Sequence, residues 1–162
     1  MATNEFEVLR VCENGHAAGR PSVAGEEHCP QCGAKVLSAC PSCQEPIRVA
    51  TNPLQRLSGA LGLNEGARPR YCAKCGKGFP WQTQAITFLK DIGREAALSK
   101  EELAQYDQAV EDVAQNNVRA VRSAAKVLTV ALKLGKPTYA EACTLMREVA
   151  AQSVLESVGI SG

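Results

Sequence analysis

The chain has 162 residues, which is enough for one domain or two small ones. Apolar residues make up 45% of it, as in ordinary folded proteins, but aromatic residues make up only 4%, a thin supply for a large core. A formal net charge of +1 and a pI near 7.5 argue against a strongly basic nucleic-acid-binding domain.

Four pairs of soft metal ligands lie between residues 12 and 75, in the patterns C-x3-H, C-x2-C, C-x2-C and C-x2-C. Structural Zn²⁺ takes four such ligands in a tetrahedron, so eight ligands fill two sites. The sequence therefore predicts two zinc ribbons that hold two Zn²⁺ ions. The predicted ligands are Cys12, His16, Cys29, Cys32, Cys40, Cys43, Cys72 and Cys75.

The order of the pairs predicts one site within residues 12–32 and a second within residues 40–75. His28 is a rival nitrogen ligand for the first site, but it is adjacent to Cys29, and neighbouring residues seldom both reach one ion. We therefore favour His16. Four thiolates also suit iron, so iron in place of zinc is an alternative at the second site.

An apolar stretch interrupts the second ribbon. Its leucines have helical spacing, but Gly59 and Gly62 break the pattern. Two interpretations stay open: a loop that folds back on the ribbon, or an apolar element that docks on a partner. The predicted partner contacts in this stretch are Leu54, Leu57, Leu61 and Leu63.

Residues 68–81 interleave cations with aromatic rings, a pattern that holds single-stranded nucleic acid by stacking and phosphate contact. The candidate contacts are Arg68, Arg70, Lys74, Lys77 and Trp81. The favoured interpretation is that Tyr71, Phe79 and Trp81 form the small ribbon core, because few other residues can supply one. The basic side chains would then lie in solvent.

Beyond Trp81 the sequence changes to Ala, Val, Leu, Glu and Gln, with few Gly or Pro and no paired ligands. This change predicts a boundary between a double zinc-ribbon domain, residues 1–81, and a helical domain, residues 82–162. The fold class is small α+β: short β-hairpins and metal knuckles followed by an all-α region of about four helices.

The predicted helices span about 82–98, 99–115, 118–134 and 138–159. Capping boxes at Ser99–Glu102 and Thr138–Glu141 predict two of the starts. Val118, Val121, Ala125, Leu128 and Leu132 mark the third helix, and Gly135 and Pro137 are predicted to stop it. This helix also carries a basic stripe, formed by Arg119, Arg122, Lys126 and Lys133. We interpret these side chains as paired with acidic residues of the second helix or as exposed to solvent.

The combined motif resembles an uncharacterised bacterial family, a domain of unknown function with paired zinc ribbons leading into a helical tail. The matching elements are Cys12-x-Asn14-Gly15-His16, Cys29-x2-Cys32-Gly33, Cys40-Pro-x-Cys43, Tyr71-Cys72-x2-Cys75-Gly76 and Pro80-Trp81. The resemblance covers nearly the whole chain and implies the eight ligands and the architecture. It implies no activity.

An enzyme is the least favoured class, because two closed four-ligand sites keep no open position for a substrate. Both histidines lie near the first site, so no general-base constellation remains elsewhere. Cys143 lacks a neighbouring cation that would activate it and is interpreted as a small buried residue.

The leading hypothesis is therefore a non-catalytic zinc-binding protein–protein interaction or adaptor module of a bacterial multi-protein system. A protein partner or a second copy would bind residues 82–162 or 54–63. The alternative is a nucleic-acid-binding zinc-ribbon protein that uses residues 68–81. The absence of a signal peptide or membrane span and the closely paired cysteines predict a reducing, cytoplasmic location.

Overall fold

The computed structural model describes residues 6–17, 27–50 and 68–160. The chain divides into two compact units, Met1–Trp81 and Gln82–Gly162. The apolar element predicted around Leu54, Leu57, Leu61 and Leu63 lies outside the described residues.

Within its described residues, the first unit contains two antiparallel pairs of short strands. Strands β1 (Phe6–Val8) and β4 (Arg48–Ala50) form one pair, and β2 (Val11–Cys12) and β3 (Val36–Leu37) form the other. The backbone N–H of Leu9 donates to the carbonyl of Ile47 at 2.7 Å and continues the first pair. Strands this short gain little stability alone, so other contacts must hold them.

Five helices follow within the described residues. They are α1 (Pro80–Glu95), α2 (Lys100–Ala114), α3 (Ala120–Lys133), α4 (Lys136–Val149) and α5 (Gln152–Ser157). This arrangement confirms the predicted fold class of metal knuckles followed by helices. None of these helices has the length and apolar character needed to cross a membrane.

The fourth predicted helix is divided into two helices in the structure. The helix expected over residues 138–159 ends at Val149, because Ala150 and Ala151 adopt extended backbone with ψ of 150° and 152°. The chain then forms α5, which buries Val154 and Leu155 in the core. The break therefore redirects the chain so that a second short helix packs on the bundle.

The two predicted capping boxes had opposite outcomes. At α2 the Glu102 backbone N–H donates to Ser99 Oγ at 3.2 Å, and the Ser99 N–H donates to Glu102 Oε2 at 2.9 Å, which confirms the box. The box predicted at Thr138 is wrong, because α4 has already begun at Lys136. Pro137 lies in the first turn of α4, where its missing N–H has no helical partner to lose.

The buried side of α3 consists mainly of small residues such as Ala120, Ala124 and Ala131. Of the residues whose periodicity marked this helix, Leu128 is buried in the core, whereas Val121 is 45% exposed and Leu132 55% exposed. Helix α3 is apolar on two sides, so spacing alone cannot identify the side that packs.

Candidate metal centres

Each predicted ligand pair lies in a small hairpin turn. The residue just before the first ligand forms an isolated β-bridge with a residue beyond the turn, which closes the hairpin. Both ligands of each pair lie between the two bridge residues, at the tip of the hairpin. The four closing bridges are Val11–Ala17, His28–Lys35, Ala39–Pro46 and Tyr71–Gly78.

The three C-x2-C turns share one hydrogen-bond pattern. The N–H of the first cysteine donates to the carbonyl five residues later, at 2.8 Å from Cys29, 2.8 Å from Cys40 and 2.9 Å from Cys72. The residue after the second cysteine has positive φ in every case: 73° at Gly33, 61° at Gln44 and 71° at Gly76. Glycine adopts this conformation readily, whereas Gln44 must adopt it with a side chain.

The first candidate site consists of Cys12, His16, Cys29 and Cys32, as the sequence predicted. The Nδ1 atom of His16 lies 3.5 Å from Cys12 Sγ, 3.3 Å from Cys32 Sγ and 3.8 Å from Cys29 Sγ. The Cys12 and Cys32 sulfurs are 3.7 Å apart. His28, the rival ligand, is exposed and is not a member of this group.

The second candidate site consists of Cys40, Cys43, Cys72 and Cys75. The sulfurs of Cys40 and Cys75 are 3.8 Å apart, and those of Cys43 and Cys72 are 3.6 Å apart. In each site all four donor atoms lie within 4.8 Å of one another.

These distances fit a tetrahedral metal. Zn–S bonds of about 2.3 Å and Zn–N bonds of about 2.0–2.1 Å place neighbouring donors about 3.8 Å apart for two sulfurs and about 3.6 Å apart for sulfur and nitrogen. The donor chemistry, three thiolates with an imidazole and four thiolates, also suits a soft or borderline ion. Both groups can therefore hold a metal ion.

Backbone donors favour the thiolates that a metal requires. The N–H of Ala34 is the main cause that lowers the pKa of Cys32 to about 6, and the side chains of His16 and Asn14 add to it. The N–H groups of Cys75 and Lys74 lower the pKa of Cys72 to about 7. One cysteine of each site therefore favours the thiolate near neutral pH. Burial raises the pKa of Cys12, and burial together with the neighbouring thiols raises the pKa of Cys43.

The predicted nucleic-acid contacts have other neighbours in the structure. Trp81 is 5% exposed and stacks on Phe79, with ring centroids 4.8 Å apart, so both rings belong to the core. Arg68 Nη1 donates to the carbonyl of Gly15 at 2.7 Å. Lys74 contacts the Glu45 carboxylate at 3.3 Å. Lys77 is exposed and Arg70 is half-buried.

Two features of the site were missed by sequence reasoning. The contact between Arg68 and Gly15 joins residues 53 positions apart, and no local pattern predicts it. Asn14 Nδ2 donates to Cys32 Sγ at 3.4 Å, whereas the sequence analysis named Asn14 only as part of the family motif. The position of Asn14 between the ligands Cys12 and His16 was the sequence feature that could have indicated this contact.

Comparison with known proteins identifies the family. A family model described as an uncharacterized protein conserved in bacteria (DUF2321) matches residues 5–158. The chain belongs to this family. The match confirms the resemblance inferred from the cysteine motifs, and the family brings no described activity.

A second similarity is local. The large ribosomal subunit protein uL24 of Pseudothermotoga lettingae is 36% identical over 52 residues, which is 32% of this chain and 41% of that protein. The matched segment therefore spans less than half the length of that relative. No solved structure matches the chain.

Proposed function

We propose that this protein is a non-catalytic protein–protein interaction module whose first unit is held together by two Zn²⁺ ions. The observation that carries the proposal is the convergence of eight ligands into two complete sets of four. A set of four protein ligands closes a tetrahedral site, whereas catalytic zinc keeps one position for water or substrate. The sites are therefore suited to a structural role.

Zinc is the proposed metal because it takes both donor sets without a redox or geometric preference. Iron is an alternative for the second site, whose four donors are all sulfur. None of the eight cysteines, all of which lie within the described residues, forms a disulfide. This supports a reducing compartment, which we propose to be the cytoplasm.

The small core of the first unit supports a structural role for the metals. Among the residues of this unit that the structure describes, the buried cluster contains six, two of which are the ligands Cys40 and Cys72. A core of this size contributes little stability, and small domains of this kind depend on metal or disulfides. Structural zinc supplies an apparent binding free energy of about 10–16 kcal/mol in comparable small folds.

The helical unit supports the interaction part of the proposal through an apolar surface on α3. Val121 and Leu132 are separated by about three helical turns, so they lie on the same side of the helix. Both are exposed, and Val118 before the helix is fully exposed. Exposed apolar side chains that share one side of a helix are typical of a protein contact.

The test is affinity capture of partners by the zinc-loaded protein, with nuclease treatment. The variant Val121→Ser/Leu132→Ser removes the apolar surface, and Thr129→Ser on the same helix is the matched control. We expect a stoichiometric protein that survives nuclease and binds the wild type and Thr129→Ser but not the double variant. Retention of the same protein by the double variant would remove α3 from the interface.

Nucleic-acid binding is a second candidate, favoured by the local similarity to a ribosomal protein. Lys74 and Lys77 are exposed cations of the third C-x2-C turn. If they contact phosphates, binding must weaken steeply with salt, and Lys74→Gln/Lys77→Gln must reduce that slope by about two. Unchanged binding of RNA and single-stranded DNA by this variant would eliminate these residues as the contact.

A further inference from the structure

Arg68 connects the hairpin of the second candidate site to a turn in the first. It precedes Cys72 by four residues, yet its Nη1 donates to the carbonyl of Gly15 at 2.7 Å. Gly15 is buried, has a φ of 87° and directly precedes the ligand His16. A Cβ at Gly15 would lie 2.9 Å from Arg68 Cζ, so the guanidinium packs directly on this turn.

Trp81 holds the other end of the same segment. Its Nε1 donates to the carbonyl of Pro69 at 3.0 Å, and the N–H of Phe79 donates to the carbonyl of Arg70 at 2.9 Å. The Cβ of Trp81 would lie 3.1 Å from a Cβ at Gly15. Residues 68–81, which carry two ligands of the second site, therefore contact the turn of the first site at both of their ends.

The two sites also share one apolar cluster. Val11, adjacent to the ligand Cys12, is buried in the same cluster as Cys40 and Cys72 of the second site. Ile47 belongs to this cluster as well, and its carbonyl accepts the N–H of Leu9. Neither metal knuckle can therefore complete its packing while the other is unfolded.

We infer that the two metal sites are thermodynamically coupled, and that Arg68 is the positioning residue that couples them. This inference rests on the proposed function, because it requires both sites to bind metal. The first ion orders its own hairpins and the shared cluster, so the second ion binds a turn that is already positioned. Linkage requires the effect to be reciprocal, and couplings of this kind are about 5–150-fold.

The test uses Co²⁺, whose visible absorption reports tetrahedral thiolate coordination. The affinity of the first site is measured in the otherwise wild-type chain and with the second site disabled by Cys43→Ser/Cys72→Ser. Both measurements are repeated with Arg68→Gln. Lys77→Gln is the matched control, since it removes one positive charge from the same segment at an exposed side chain.

We expect disabling the second site to weaken Co²⁺ binding at the first by about tenfold. In the Arg68→Gln chain the same change must have an effect of about threefold or less, and Lys77→Gln must behave as wild type. The reciprocal experiment, in which Cys12→Ser disables the first site, must weaken the second by the same factor. If the variant with one disabled site folds poorly, the reciprocal experiment still tests the coupling through the other site.

Equal affinities at the first site with the second intact or disabled would overturn the coupling. An undiminished effect in Arg68→Gln would overturn the role of that side chain. Failure of the proposed function is distinguishable from both, because a chain that binds no tetrahedral Co²⁺ at either site lacks the metal centres themselves.

Discussion

The Sγ atoms of Cys43 and Cys72 lie 3.6 Å apart although 29 positions separate the two residues in the sequence. Two thiolates at this distance repel each other unless a cation lies between them. The contact is therefore stable with metal bound and unfavourable when both thiols are ionised without it.

Replacement of Cys72 tests this relationship. We expect Cys72→Ser to reduce the bound metal from two ions to one and to unfold the hairpin of residues 68–79 at neutral pH, because three ligands hold zinc weakly. The control is Cys143→Ser on α4, a half-buried cysteine outside both sites. It should change the free energy of unfolding by about 1 kcal/mol or less and leave the metal content intact.

The shared backbone of the C-x2-C turns predicts opposite effects at two equivalent positions. Gly33 has a φ of 73° with no atom near a would-be Cβ, so Gly33→Ala should cost about 1–2 kcal/mol from backbone strain alone. Gln44 has a φ of 61°, so Gln44→Gly should relieve strain and raise or preserve stability. Thermal unfolding of the metal-loaded variants measures both, and a lower midpoint for Gln44→Gly would contradict the account.

Gly93 in α1 allows the ring of Tyr106 to approach the helix backbone. A Cβ at Gly93 would overlap the ring of Tyr106, whose hydroxyl donates to the carbonyl of Leu89 at 2.8 Å. Glycine to alanine in a helix interior usually stabilises by about 0.5–1 kcal/mol. Here we expect Gly93→Ala to destabilise by about 1–3 kcal/mol as the ring is displaced.

Tyr106→Phe is the comparison for Gly93→Ala, because it keeps the ring and removes only the hydroxyl. Loss of one hydrogen bond should cost about 1 kcal/mol, less than the displacement of the whole ring. Denaturant unfolding measures both variants. If Gly93→Ala is as stable as the wild type, the packing of Tyr106 on α1 is not tight.

Asp112 gives the helical unit a specific response to acid. Its carboxylate accepts hydrogen bonds from Asn117 at 2.8 Å, Gln108 at 3.1 Å and Ser123 at 3.1 Å. The bond from Asn117 is the main cause that lowers its pKa below the ordinary value of 3.8. The stabilisation is therefore complete above pH 3.8 and is lost as the pH falls through the lower pKa of the folded state.

The variant Asp112→Asn separates this effect from general acid unfolding. At pH 6 its thermal midpoint should be several degrees below that of the wild type. At pH 3 the difference between the two midpoints should be smaller. Glu141→Gln, at an exposed position on α4, is the control and should change neither value. A difference between Asp112→Asn and wild type that is the same at both pH values would contradict the role of the ionised carboxylate.

The ligand pairs were the most predictable part of the molecule, because their spacing is fixed by local chemistry. Two residues between thiols set a turn, and eight ligands divide into two sites whatever the rest of the chain does. His16 was preferred over His28 for the same local reason, and the structure places it in the first group.

Long-range packing was less predictable. The apolar pattern of α3 selected Leu128, which is buried, but also Val121 and Leu132, which are exposed, because the core packs mainly on the small residues of this helix. The sequence predicted that Arg68 is a solvent-exposed cation, yet its guanidinium donates to the carbonyl of Gly15, 53 positions away. The break at Ala150 has no Gly or Pro to mark it, so only the position of the core reveals why the helix ends.

The most direct test of the metal-centre account is native mass spectrometry of the purified, untreated protein. We predict a folded charge-state distribution with the mass of two zinc ions per chain, which a chelator converts to the metal-free mass with more highly charged, unfolded ions. A metal-free chain that keeps the compact distribution would contradict the claim that two metal ions hold the first unit together.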